Sequence, residues 1–209
     1  MGNLLERKVC SSKFCACKSL IILIKSAQVR SSSEFLAFLQ ENNIGSRKWR
    51  GSVGGIVDAP IDEVWTMVSQ TSRLSEWMPM VERCTDLAGE EGLPGYVRLV
   101  SGFMFPQPDG DRSWIKERLV SMEPSSHSYV YRMEASNIGL DGSVNSLKLI
   151  DYEDDSTLVD WSFEINPLEG VYEDNIIDYL GFLYKSCINR IEGAIKAAAK
   201  KCVQESTQT

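Results

Sequence analysis

Glu117 lies in a run, Ser113–Met122, whose alternation marks it as a β-strand with two distinct faces. Ile115, Glu117, Leu119 and Ser121 share one face, and Trp114, Lys116, Arg118 and Val120 share the other. The cations Lys116 and Arg118 mark the second face as the wet one, which leaves the Glu117 carboxylate on the apolar side between Ile115 and Leu119. A lone carboxylate in such a place is costly unless it is paired or protonated. Desolvation favours the protonated form of a carboxyl, and a carboxyl held that way suits proton transfer. The preceding run offers a partner. Tyr96, Arg98 and Val100 share one face and Val97, Leu99 and Ser101 the other, and alternation alone leaves open which is inside. If Tyr96 and Val100 face in, Arg98 faces in with them and can anchor a negative oxygen or meet Glu117. On the next run Tyr129, Tyr131 and Met133 share a face, so the tyrosines bring phenol donors to the same interior. Three readings stay open: an active site, a buried structural ion pair in a passive pocket, or an Arg98 that points to solvent.

The elements that hold these residues can be read from periodicity. Trp49–Val57 is a strand with Gly54-Gly55 allowing a bend. Pro60 opens a helix carrying Ile61, Val64, Trp65 and Val68 at one helical stripe, and a second short helix follows Ser72 and ends before Pro79. Six strands are expected next: Val81–Leu87, Tyr96–Phe103, Ser113–Met122, Ser128–Met133, Ser143–Ile150 and Leu158–Ile165, with Val159, Trp161, Phe163 and Ile165 facing in on the last. Short Gly-, Pro- and Asp-rich connections make neighbours antiparallel. A long helix, about Glu173 to Lys200, closes the chain with Ile177, Leu180, Tyr184, Cys187, Ile191 and Ala194 on one stripe. The expected fold class is α+β in the helix-grip arrangement: a curved seven-stranded antiparallel sheet wrapped around the C-terminal helix, two short helices after strand 1, and an internal cavity. Its lining is assigned to Tyr96, Val100, Ile115, Leu119, Tyr129, Met133, Ser143, Leu147, Trp161 and Phe163, with Leu180 and Tyr184 from the helix.

Composition bounds the rest. Of 209 residues, the first 50 carry a net charge of +6 and the remainder −13. An acidic body argues against nucleic acid, and the expected partner is a small hydrophobic molecule bound by a monomer. Three divisions are expected: a basic extension over 1–46, a ligand-binding domain over 47–201 and a tail over 202–209. The run Leu20–Ile24 is too short to span a bilayer, so no integral membrane segment is expected. A cytoplasmic location follows, with organelle targeting or membrane association through the extension as the alternative. Glu34–Gln40 is expected to form a short helix in that extension. One histidine, His127, and no Cys-x-x-Cys argue against a metal, and the cluster Cys10, Cys15, Cys17 lacks a fourth zinc ligand at normal spacing, so no cofactor is expected. His127 is read as ordinary surface in the Pro124–Ser128 turn, and Trp49, Trp65, Trp77 and Trp161 as core.

Several of these runs together resemble plant lachrymatory-factor synthase and its relatives, within the START/polyketide-cyclase-like superfamily. The matching stretches are Arg47-Lys48-Trp49-Arg50-Gly51, Pro60 with Trp65, Met78-Pro79, Gly95-Tyr96-Val97-Arg98 with Gly102 and Pro106, Trp114–Leu119, Ser128–Tyr131 and Asp160–Phe163. They run from Arg47 to near Lys200. The family enzyme isomerises an unsaturated sulfenic acid to a thial S-oxide without a cofactor. The resemblance implies an inward Arg98 holding the substrate oxygen, Glu117 moving the proton and Tyr131 donating a hydrogen bond. A second family tyrosine aligns with Ser143, a departure that changes pocket shape and bears on the substrate. The resemblance also leaves a non-catalytic lipid, metabolite or hormone carrier as the alternative. Hormone receptors of this fold close with a Ser-Gly-Leu-Pro-Ala gate and a His-Arg-Leu latch. Here Ser101-Gly102-Phe103-Met104-Phe105-Pro106 and Asn137-Ile138-Gly139 stand instead, which sets that function aside, while Phe103–Asp111 can still act as a lid.

Overall fold

The alternation read around Glu117 recurs along a single sheet. The structure, a computed structural model, describes residues 47–107 and 110–206. The expected helix over 34–40, the cysteines of the basic extension and the end of the tail lie outside them. The order is β1 (Trp49–Val57), α1 (Ile61–Val68), a 3₁₀ turn (Thr71–Arg73), α2 (Leu74–Trp77), β2 (Val81–Ala88), β3 (Val97–Gly102), β4 (Ser113–Glu123), β5 (Ser128–Ser136), β6 (Val144–Tyr152), β7 (Ser156–Ile165) and α3 (Glu173–Ser206). All seven strands form one antiparallel sheet in the order β1-β7-β6-β5-β4-β3-β2. The sheet is curved over α3, which packs along β1 and against α1 and α2. This is the helix-grip fold.

The elements form where their sequences demand them. Pro60 caps α1 without needing its missing donor, and its carbonyl accepts from the N–H groups of Glu63 and Val64 at 3.0 and 3.1 Å. Burial alternates most regularly in β4 and β7, while β2 fully buries only Val81 and β3 buries the adjacent Val97 and Arg98. Glycine is required at two close approaches. A Cβ on Gly102 would lie 2.0 Å from the Met80 carbonyl oxygen, and one on Gly51 would meet the Phe163 ring at 2.4 Å. Without Gly51 the tip of the Phe163 ring, carried by β7, would have to move away from β1.

Some expectations shift. Strand β5 runs three residues past its expected end, where Ala135 and Ser136 pair with β4, and β6 and β7 each run two residues further toward Glu153–Asp155, a tight 3₁₀ turn that leaves its flanks free to pair. Helix α3 continues past Lys200 to Ser206. Its buried side is wider than the expected stripe: Ile176, Leu183 and Ile188 join Leu180, Tyr184, Cys187 and Ile191, while Ile177 and Ala194 are only half-buried. A helix gripped by a curved sheet is contacted over more than one narrow stripe. Trp77 and Trp161 are core, but Trp49 and Trp65 are half-buried at its rim. His127 is not ordinary surface either. It adopts a left-handed conformation (φ 47°), its ring meets Trp65 edge-on, and Nε2 lies 3.1 Å from Asp62 Oδ1.

Candidate functional site

The register of the sheet brings the first two candidates face to face. Arg98 on β3 is the direct cross-strand neighbour of Glu117 on β4. Arg98 Nε donates to Glu117 Oε2 at 2.9 Å, and the two side chains are only 9% and 10% exposed. The question left open by alternation thus has an answer: Arg98 points inward. Its other strand neighbour is also acidic, Asp86 on β2, but that carboxylate accepts instead from the Tyr96 hydroxyl. Beside Glu117 the β4–β5 register slips, leaving Glu134 as the extra residue on the outer side of the sheet.

A third element completes the first coordination of the guanidinium. Arg98 Nη1 donates to Thr71 Oγ1 at 3.3 Å, and the Arg98 Cζ stands 3.8 Å above the centre of the Tyr131 ring. Thr71 is carried by the 3₁₀ turn between α1 and α2, is buried, and its backbone N–H donates to Glu91. Thr71 also opposes the burial-driven rise of the Tyr131 and Tyr96 phenols. Burial pulls the Arg98 guanidinium toward neutrality, but the adjacent Glu117 carboxylate raises it further, and the net effect is a more firmly held charge. Burial likewise pushes the phenols of Tyr129 and Tyr131 up, with Arg98 opposing. Burial also raises Tyr184, and Glu117 adds to the rise. All three are therefore neutral donors at ordinary pH.

Around this pair the concave side is lined by rings. Trp161 stacks on Tyr184 at 4.2 Å with planes 6° apart, Trp77 lies 5.7 Å from Trp161, and Tyr129 meets Tyr131 edge-on at 5.5 Å. The Tyr184 hydroxyl donates to Asn145 Oδ1 at 2.9 Å. Every residue assigned to the lining is buried: Tyr96, Val100, Ile115, Leu119, Tyr129, Met133, Ser143, Leu147, Trp161, Phe163, Leu180 and Tyr184. Three residues of this region escaped the sequence reading. Thr71 is polar in an irregular turn, and nothing local points it at Arg98. Asn145 has a buried alternation position on β6, which was the available signal. Cys84 on β2 is half-buried close enough to feel both Arg98 and Glu117, and burial pushes its thiol up to about 11.

One side of the concave face is closed by Met104 and Phe105. The Met104 carbonyl accepts from the Tyr179 hydroxyl of α3, and the Phe105 ring lies 5.2 Å from that of Tyr179. Ser113 Oγ ties this loop down, accepting from Phe105 N at 3.1 Å and donating to the Gly102 carbonyl at 3.0 Å. Two hollows open away from the pair. One of about 480 Å³ lies on the convex side among Arg50, Ser52, Val144, Ser146, Ser162 and Glu164. Another of about 300 Å³ lies among Arg47, Lys48, Arg50 and Glu173. Neither borders Arg98 or Glu117, and the chemistry on their walls is that of solvated surface ion pairs. Among the described residues no group of three or more His, Cys, Asp or Glu is placed to hold a metal ion, and no helix is long and apolar enough to cross a membrane.

Solved structures share this architecture at low identity. The protein XoxI of Bacillus cereus superposes with a TM-score of 0.58 at 18% identity, covering 70% of this chain and 94% of that one. A protein of Nitrosospira multiformis gives 0.55 at 19% identity, with 72% and 99% covered. Ara h 8.0201, of the Bet v 1-like fold, gives 0.58 at 15% identity with 72% and 99% covered. At such identities the likeness speaks for the fold. The sequence match is more telling, since it spans residues 50–204 and so takes in β1, the ion pair and nearly all of α3. The chain belongs to the family described as polyketide cyclase / dehydrase and lipid transport.

Proposed function

We propose that this chain binds a small apolar molecule bearing a polarised oxygen within the concave face, and that Arg98 and Glu117 move a proton on it without a cofactor, as in the lachrymatory-factor synthases its motifs resemble. The observation that carries this reading is the desolvated Arg98–Glu117 pair, 2.9 Å apart beneath Tyr131 and walled by aromatic rings. A guanidinium has five N–H donors, and Glu117 and Thr71 take two, so donors remain for the oxygen of a guest. An oxygen arriving there competes with Glu117 for the cation and frees the carboxylate to act as a base. On an alkenyl sulfenic acid the O–H proton passes to Glu117, the S=C bond forms as the C=C electrons move away from sulfur, and Glu117 returns the proton to the far alkene carbon. Substrate and product have the same atoms. Tyr131, kept neutral, supplies a donor and a flat rest for the guanidinium.

The second reading is a carrier with the same pocket. It is favoured by a family that includes lipid transport and by the aromatic walls around the pair. Two measurements divide the readings. The protein mixed with enzymatically generated alkenyl sulfenic acid is expected to yield thial S-oxide, and wild-type protein giving none removes that substrate. Glu117→Gln is expected to abolish turnover while ligands identified by mass spectrometry of the purified protein still bind. Binding and turnover that are both unchanged would leave Glu117 no role in proton transfer.

A further inference from the structure

We infer a second, neutral hydrogen-bonding subsite on the same concave band, built from Asn145 with Tyr184, Trp77 and Ser143, which fits an uncharged acceptor oxygen on the guest. The inference rests on the reading of this face as the ligand site and adds the chemical class of the ligand: an apolar body with one acidic oxygen and, some distance along, a carbonyl-like oxygen.

Register places the subsite. Glu117 pairs with Met133 on β5, the Met133 N–H donates to the Ser143 carbonyl at the start of β6, and Tyr131 pairs with Asn145. Ser143 and Asn145 therefore lie on the same band as the ion pair, two strands beyond Glu117. That is about 10 Å at the backbone, and less between side chains that converge on a concave surface.

Unused donors define what it takes. Among the described residues, the buried side-chain polar atoms that make no hydrogen bond are Trp77 Nε1 and Ser143 Oγ. Both residues are almost wholly enclosed, at 0% and 1% exposure, and orphaned polar atoms at that depth are costly. The Trp77 ring belongs to the Trp161–Tyr184 stack. Asn145 is also buried, and with Oδ1 accepting from the Tyr184 hydroxyl the amide still offers two N–H donors. An indole N–H can only donate, an amide nitrogen can only donate, and a hydroxyl can do so, so the missing partner is an acceptor. It is a neutral one, because the groups that face it are an indole, an amide, a hydroxyl and a phenol, none of which carries a positive charge to compensate an anion buried at this depth. The anionic end belongs at Arg98.

The test uses decanoate and its 5-, 7- and 9-oxo derivatives, titrated calorimetrically into the full chain. At least one oxo acid is expected to bind about three- to tenfold more tightly than decanoate, the worth of one neutral hydrogen bond. Asn145→Leu is expected to bring the ratio of oxo-acid to decanoate affinity down to about one. Tyr184→Phe, which removes one hydroxyl and keeps the stack, is expected to reduce it. The readout is a ratio within each variant, so a general loss of stability does not mimic it. Decanoate binding that depends on Arg98 with no preference for any oxo acid, or a preference that survives in Asn145→Leu, overturns the second subsite and leaves the first reading standing. If no acid binds, or if the paired change Arg98→Met with Glu117→Leu leaves acid affinity unaltered, the reading of the concave face fails and the subsite fails with it.

Discussion

Two ion pairs meet at neighbouring residues of β4 with nearly the same length and opposite surroundings. Arg98 and Glu117 are 2.9 Å apart on the concave side with side chains 9% and 10% exposed. Lys116 and Glu134 are 3.0 Å apart on the convex side at 39% and 25% exposure, and Arg118 joins the same Glu134. Distance does not separate them; solvent does. On the outer face water screens the charges, and such pairs contribute little. On the inner face each charge depends on its partner, since neither can be hydrated if the other is removed. The difference teaches where to look for chemistry. A desolvated pair often costs more to keep than an apolar pair of the same size, which is why the proton-moving role is proposed for the inner pair and not for the outer one.

The sharpest way to break this contrast is to remove one inner partner. Glu117→Leu leaves a buried guanidinium unpaired, and a loss of about 3–5 kcal/mol in urea unfolding is expected. Adding Arg98→Met to it is expected to recover most of that loss, with turnover still absent. A double variant as unstable as the single one would mean that the pair is structural. The inner face should also fail at alkaline pH. Burial raises the Cys187 thiol from 9.0 to about 12 and pushes the Tyr129 and Tyr184 phenols above their ordinary 10.0. The folded form then keeps protons that the unfolded chain releases. This stability is whole below about pH 9 and is lost as pH rises through about 12, at roughly 1.4 kcal/mol per pH unit for each group in its window. Urea midpoints measured at pH 8, 9.5 and 10.5 should fall progressively, and a flat profile would contradict the burial described. The smallest effect belongs to the outer face. Glu134→Ala is expected to cost less than about 1 kcal/mol and to cost less still in molar salt.

How much of this was legible beforehand follows the same division. Period-two alternation placed Glu117 inside because Lys116 and Arg118 flank it, and it placed β1 and the aromatic faces of β5 and β7. It could not place Arg98, since both faces of Tyr96–Ser101 are mostly apolar, and Val97 and Arg98 are both buried. Only the resemblance pointed it inward. Thr71 was out of reach because its contact with Arg98 spans 27 residues and depends on how α1 and α2 fold back. Helix α3 was read too narrowly because a single stripe describes a helix on a flat surface, and this one is held in a curved one.

The strand order carries a last consequence. β1 and β2 follow each other in the chain but stand at opposite edges of the sheet, and β1 pairs with β7, where Trp49 meets Ile165. During synthesis the first strand must wait for a partner made more than a hundred residues later, on the order of 5–20 s at ribosomal speeds. Until then its backbone N–H and C=O groups on that side have no ladder to join. The sheet can zip from β2 through β7 by short hairpins while the nascent chain emerges, and β1 docks after β7 is available. Completion of the grip is therefore a late event, and a chain cut short before β7 would leave its earliest strand open to pairing with a stranger.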